Sequence, residues 1–223
     1  MDHPMPLAQA LERHPSLPRD TRERFRGYGV MGLSFASGHV LALRRMPASS
    51  VGPPYTAVWH RDPWRRWTMY VDQNPWLACP RYFGGALERV VQGPVELEWT
   101  DELALSLRIP GARLQWGVRL GADMRTGILN GVAGLVPGRA ARSPTVLGAL
   151  GFVASRALGL GRMTLEGTAP NGQAYLAVPR RLWRVEASAA VAMKRMRPST
   201  DSPVASIAWP VMPTRSCRTD LSD

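Results

Sequence analysis

Between Val95 and Leu120 apolar and polar side chains alternate almost without a break. Val95, Leu97 and Trp99 interleave with Glu96, Glu98 and Thr100. Leu103, Leu105, Leu107 and Ile109 interleave with Ala104, Ser106 and Arg108, and Leu114, Trp116, Val118 and Leu120 with Arg113, Gln115, Gly117 and Arg119. A period of two puts each set on one face of a strand. Three strands, broken at Asp101-Glu102 and at Pro110-Gly111, therefore form an antiparallel meander with one buried face. A slip of one residue would expose the whole apolar set, which makes the register firm. Glu96 and Glu98 share the solvated face with Arg108, Arg113 and Arg119, where cross-strand ion pairs are expected and each contributes little.

Elsewhere the pattern predicts shorter elements. Val30–Phe35 and His39–Met46 form a hairpin around Ser37-Gly38. Strands resume at Arg162; Pro170-Asn171-Gly172 is a hairpin turn whose Asn-Gly pair tolerates positive φ at both positions. Leu182 to Val191 is a further strand. Between 122 and 160 the period becomes helical, with helices at Thr126–Leu135 and Ser143–Leu158; Ser143 is a natural N-cap and Pro144 a natural first helical residue. The second helix is apolar nearly all round, so it is buried on the sheet or docks on a partner or membrane. Residues 1–26 carry a weak helical pattern at Leu7, Ala10 and Leu11 and read as a lead-in helix. Residues 27–193 then form one antiparallel β domain with a helical insertion at 122–160. Residues 194–223, rich in Pro, Ser, Thr and Arg and without periodicity, read as a disordered tail. A shifted reading frame or a truncated copy produces so abrupt a change.

One stretch resists a one-face reading. Tyr55 to Gly84 holds four of the eight Trp residues, three of the five Tyr and Cys79. Asp62-Pro63-Trp64-Arg65 is a turn, with Asp able to bond the backbone two residues on and Pro presetting φ. A four-residue loop pairs Arg61 with Arg66, His60 with Trp67, Val58 with Met69 and Ala57 with Tyr70. Trp67 and Met69 then lie beside His60 and Val58, while Trp59, Thr68 and Tyr70 share the opposite face. Both faces are bulky, which suits a sheet covered on both sides or a barrel lined by one of them. The following loop, Gln73 to Gly85, carries Trp76, Tyr82 and Phe83 as a lid or a plug.

Composition narrows the classes. The length of 223 residues suits one domain. A net charge of +11 would ordinarily raise nucleic acid as a partner, yet the arginines are scattered and no nucleic-acid-binding motif interleaves them with aromatics. Two cysteines, Cys79 and Cys217, make no disulfide framework, and no Cys or His spacing suits zinc, so no cofactor or metal is expected. The opening residues lack the apolar core of a signal peptide, and the uncharged run Ser143 to Ser155 is too short to span a bilayer. A cytoplasmic chain follows, with no argument for a membrane and nothing that fixes its oligomeric state.

The segments VWHRDPWRRWTMY with CPRYFG, VELEWTDELALSLRI, and GRMTLEGTAPNGQAYLAVPRRLW resemble those of a group of lipocalin-like, or calycin-like, proteins of GC-rich bacteria. The resemblance covers about Gly27 to Val191, and the group continues with ordered strands where this chain has its tail. The strand pattern is more loosely similar to lipocalin-like proteins of the hydroxyneurosporene synthase type, none of whose motifs is present here at residue level. The fold class implied is mainly β: an antiparallel lipocalin-like barrel or curved sheet with two inserted helices. The corresponding function is non-catalytic binding of a small apolar or isoprenoid-like molecule. Trp59, Trp67, Tyr70, Tyr82, Trp99 and Trp116 are the candidate cavity walls, and His60 and Arg81 the polar anchors. The alternative is a cofactor-free cyclase, isomerase or hydratase in which His60 with Asp62 or Asp72 moves protons. A third reading makes helix 143–158 a docking module.

Overall fold

The computed structural model describes residues 3–18, 21–121, 124–135, 165–191, 195–196 and 210–211. In chain order these are α1 (Pro4–Arg13), β1 (Phe25–Ser34), β2 (Val40–Ser49), β3 (Tyr55–Arg61), β4 (Trp67–Val71), α2 (Pro80–Phe83) and β5 (Arg89–Gln92). There follow β6 (Glu96–Asp101), β7 (Ala104–Ile109), β8 (Leu114–Gly121), α3 (Met124–Leu135), β9 (Glu166–Thr168), β10 (Ala174–Ala177), β11 (Arg184–Val191), β12 (Arg195–Met196) and β13 (Pro210–Val211).

The meander is built as its alternation predicts. Leu97 faces Leu107, Trp99 faces Leu105, Leu105 faces Val118 and Leu107 faces Trp116. Leu105, Leu107, Ile109, Leu114, Trp116, Val118 and Leu120 are buried, whereas Glu96, Glu98, Arg108 and Arg119 stand exposed. Arg108 pairs with Glu96 and Arg119 with Asp101, both at 2.8 Å, on that outer face. β11 extends the sheet beside β8 to give the order β12-β11-β8-β7-β6.

A second five-stranded sheet runs β1-β2-β3-β4-β5, and β13-β10-β9 form a small third one. Among the described residues no sheet closes on itself, so the fold is a set of curved sheets and not a barrel. One pair departs from the antiparallel expectation: β5 lies parallel to β4. A parallel neighbour needs a crossover, and residues 72–88 supply it. That crossover, with α2 in it, covers one face of the sheet: Ala78, Cys79 and Tyr82 are buried and Phe83 packs edge-on to Trp59 at 5.1 Å. The loop is a plug. Tyr28 meets Trp99 at 6.0 Å on the other face, joining the two large sheets in one apolar core.

The β3–β4 register is one residue away from the predicted one. Arg61 faces Trp67, His60 faces Thr68, Trp59 faces Met69 and Val58 faces Tyr70. The cause is Arg65, which adopts φ +67°. The Arg65 N–H donates to the Asp62 carbonyl and the Asp62 N–H to the Arg66 carbonyl, a type I turn followed by a left-handed bulge residue. The extra loop residue moves Trp67 and Met69 to the face of Trp59, and Trp59 and Trp67 meet edge-on at 5.9 Å. His60 and Val58 keep Thr68 and Tyr70 instead.

The same bonding recurs at Phe35–His39, with Gly38 at φ +80°, and at Ala169–Gln173, with Gly172 at φ +85°. In the latter turn only Gly172, and not Asn171, takes positive φ, so it is not the two-residue turn that Asn-Gly suggests. Two pieces of the stretch read as a tail are paired: Arg195–Met196 with β11 and Pro210–Val211 with β10. The predicted helix at 143–158 lies outside the described residues, as does the rest of 194–223.

Candidate ligand-binding cleft

The sequence-predicted residues do not converge. Trp116 is 1% exposed and its indole N–H donates to the Ser188 hydroxyl at 2.8 Å, deep in the meander core. Tyr82 is buried with its hydroxyl donating to Glu23 at 2.7 Å, and Arg81 pairs with the other oxygen of the same carboxylate at 2.8 Å. Burial and the Glu23 charge both push the Tyr82 phenol well above its usual range. Trp59, Trp67 and Tyr70 are half-buried on β3 and β4, and Trp99 lies against Tyr28. Around Trp59 the packing is cationic: the Arg44 guanidinium lies 5.5 Å from its ring and 5.4 Å from that of Phe83. Beneath, the Tyr55 hydroxyl is 3.3 Å from the Cys79 sulfur, and burial raises the Tyr55 phenol further than any charge nearby.

His60 finds a partner the sequence did not suggest. Its Nε2 lies 2.8 Å from Nδ1 of His39, with the rings stacked at 5.0 Å. Two hairpin turns bring them together, those of β1–β2 and β3–β4. Burial first, and the neighbouring imidazole second, hold His60 below its ordinary pKa, while Asp62 opposes them in part. The carboxylates proposed to work with it are occupied. Asp62 accepts the Arg66 N–H at 2.9 Å and its side-chain Nε at 2.7 Å; loss of hydration is the largest single influence and raises the carboxyl, but the bonds and charge of Arg66 together outweigh it and keep the group below its usual range. Asp72 accepts the Thr56 N–H at 2.7 Å. Thr56 is four residues from His60 along β3, or about 13 Å at strand rise.

A cavity lies elsewhere, between α1, the start of β1 and the segment entering β11. It measures about 870 Å³. Leu7, Leu11, Leu17, Phe25, Val178 and Trp183 give it apolar walls, and His14, Arg24, Arg26, Arg180 and Arg181 line it as well. Each wall is tied down. In α1, Pro4 and Ala8 are buried at helical spacing, which turns Leu7 and Leu11 toward the cleft side. Glu12 then clamps the helix to the sheet, accepting from Arg45 at 2.8 and 2.7 Å and from the Tyr28 hydroxyl at 3.0 Å. Burial and the Glu12 charge raise the Tyr28 phenol, so it remains a donor. The opposite wall hangs on α3. The Asn130 amide donates to the Leu182 carbonyl at 2.8 Å and accepts its N–H at 2.7 Å, and Arg181 donates to the Asn130 carbonyl. A second cavity of about 600 Å³ sits beside Leu33 and the outer surface of β7, β8 and β11, where Arg119 is already paired with Asp101.

None of the eight binding residues expected from sequence lines the larger cleft. The residues that do were visible only as fragments: a weak helical pattern at Leu7 and Leu11, and an Arg180-Arg181 doublet after Pro179. No sequence signal joins them, because they are separated by most of the chain.

No family model and no curated protein matches the chain. Among solved structures it is similar to an acetoacetate decarboxylase from Legionella pneumophila subsp. pneumophila str. Philadelphia 1, at 10% identity and a TM-score of 0.42. The match covers 92% of this chain and 93% of that one. A superposition this loose carries no argument about activity or ligand. Among the described residues no group of three or more His, Cys, Asp or Glu could hold a metal, and no helix is long and apolar enough to cross a membrane.

Proposed function

We propose that this protein binds a small, largely apolar molecule in the cleft between α1 and Val178–Trp183, without transforming it. The observation that carries the reading is the cleft itself: about 870 Å³, in the range of small-molecule sites, with Leu7, Leu11, Phe25, Val178 and Trp183 as walls. Those walls are braced by Glu12 and Asn130, so the cavity is largely preformed. The enzyme reading centred on His60 has less support, since Asp62 and Asp72 are both spent on backbone N–H groups. A cytoplasmic setting belongs to the same proposal and is checked by fractionation of the native host.

The test is calorimetric titration of 1-decanol and decanoate into the protein and into Leu7→Trp, which fills the cleft from an exposed helix position. Saturable binding of at least one probe, weakened about tenfold or more in the variant, is expected. Binding of neither probe, or equal binding to both proteins, overturns the proposal.

A further inference from the structure

Helix α1 is tied near both of its ends, once to each of the large sheets. Near its start the Met5 N–H donates to the Glu102 carbonyl at 3.3 Å, and the His3 imidazole lies 3.6 Å from the Glu102 carboxylate, so this end rests on the β6–β7 turn. Near its finish Glu12 accepts from two nitrogens of Arg45 on β2, at 2.8 and 2.7 Å, and from the Tyr28 hydroxyl on β1 at 3.0 Å. Between these ties the helix runs over the cleft. Of its ten residues only Pro4 and Ala8 are buried, while Leu7, Ala10 and Leu11 line the cavity of about 870 Å³. Leu7 is 37% exposed, and the apolar hold on the core is Ala8, with Leu11 at its margin. A helix of this length is not stable by itself, so its place depends on these contacts. The charge-assisted, two-pronged Glu12–Arg45 pair, half-buried, is the strongest of them.

We infer that α1 is the lid of the cleft and that the contact of Glu12 with Arg45 and Tyr28 is its latch, so that a ligand enters and leaves as the latch opens. Lids of this kind are drawn from the least stable parts of a fold, and a short helix with little apolar contact beneath it is such a part. A latch slows exchange in both directions. A contact that merely braced the wall would change affinity through the rate of release and leave entry alone. The inference rests on the cleft being the binding site, and it adds how that site is gated.

The experiment is stopped-flow mixing of 10-bromo-1-decanol, whose heavy atom quenches the indole of Trp183 in the cleft, with the full chain, Glu12→Gln, Arg45→Gln and the double variant. Neither Glu12 nor Arg45 lines the cavity. Association and dissociation should both rise about tenfold or more in each single variant, and the double variant should be no faster, because the two residues form one contact. Hydrogen exchange on the ligand-free chain is the second readout: the α1 amides should exchange faster in Glu12→Gln while those of β7 and β8 keep the parent rates. Saturable quenching with an unchanged association rate in both single variants overturns the lid and leaves the cleft as a binding site. Exchange of α1 that rises only together with that of β7 and β8 also overturns it, since the whole fold is then opening. No saturable quenching in any of the four proteins overturns both.

Discussion

The β6–β8 meander and the β3–β4 hairpin are neighbouring pieces of one core, yet they obey different rules. In the meander one face is buried and the other solvated, so the side-chain pattern alone selects the pairing: Leu107 can face only Trp116 without exposing an apolar row. In the hairpin both faces carry buried or half-buried side chains, Trp59 and Met69 on one, where Phe83 of the 72–88 crossover meets Trp59, and Val58 and Tyr70 on the other. Trp59 is acceptable on either side, and so is Tyr70. With no solvated face to veto a slip, the choice passes to the turn, and a single residue at φ +67° moves Trp67 and Met69 from one face to the other. Amphipathic strands hold their register through the core; two-faced strands take it from their loops.

The comparison can be broken most sharply from the meander side. Leu107→Ala, at a fully buried position, should cost about 2–5 kcal/mol, read as a lowered midpoint in urea with an unchanged m-value. A loss below about 1 kcal/mol would mean that the meander does not anchor the fold.

Asp72→Ala should cost about 1–3 kcal/mol, because it strips the acceptor from the N–H of buried Thr56 at the open end of the hairpin. If this variant instead left stability intact and altered ligand turnover, the proton-transfer reading of Asp72 would return.

Arg65→Gly tests the turn itself. A non-glycine residue in the left-handed region carries about 1–2 kcal/mol of strain, and glycine relieves it at some cost from the unfolded state. A net gain of up to about 1 kcal/mol is expected, seen as a raised Tm. The equivalent sites, Gly38 and Gly172, already hold glycine. A lowered Tm would show that the Arg65 side chain contributes more than its backbone costs.

The smallest effect lies at His60. Its pKa is depressed in the folded state, so the unfolded chain takes up the proton first as pH falls. The contribution of neutral His60 is therefore complete above its ordinary value of about 6.5 and is lost as pH falls from there through the lower folded value. His60→Gln should flatten that acid limb of the stability curve; a slope unchanged from the parent would assign it to other groups.

How much was legible follows the same division. The meander, the β1–β2 hairpin, the turn at Pro170–Gly172 and helix α3 could be read from alternation, glycine placement and period. The His39–His60 contact could not, since two unrelated turns create it, nor could the parallel β4–β5 pair, whose crossover looks like any long loop. The cleft was further from reach. Leu7 and Leu11 lie in a helix that sequence marks only faintly, and Val178 and Trp183 reach the same cleft by long-range packing alone.

Taken by itself, the chain's order of residues determined the three strands of the meander, which face of it is wet, and that no Cys or His spacing suits zinc. These are properties of neighbours within a few positions, and local periodicity expresses them directly. Tertiary structure alone decided the β3–β4 register, the occupation of Asp62, Asp72 and Arg81 by structural partners, and the meeting of α1 with Val178 and Trp183 at one apolar cleft. Each depends on which distant surfaces meet, and pattern within a segment holds no information about that.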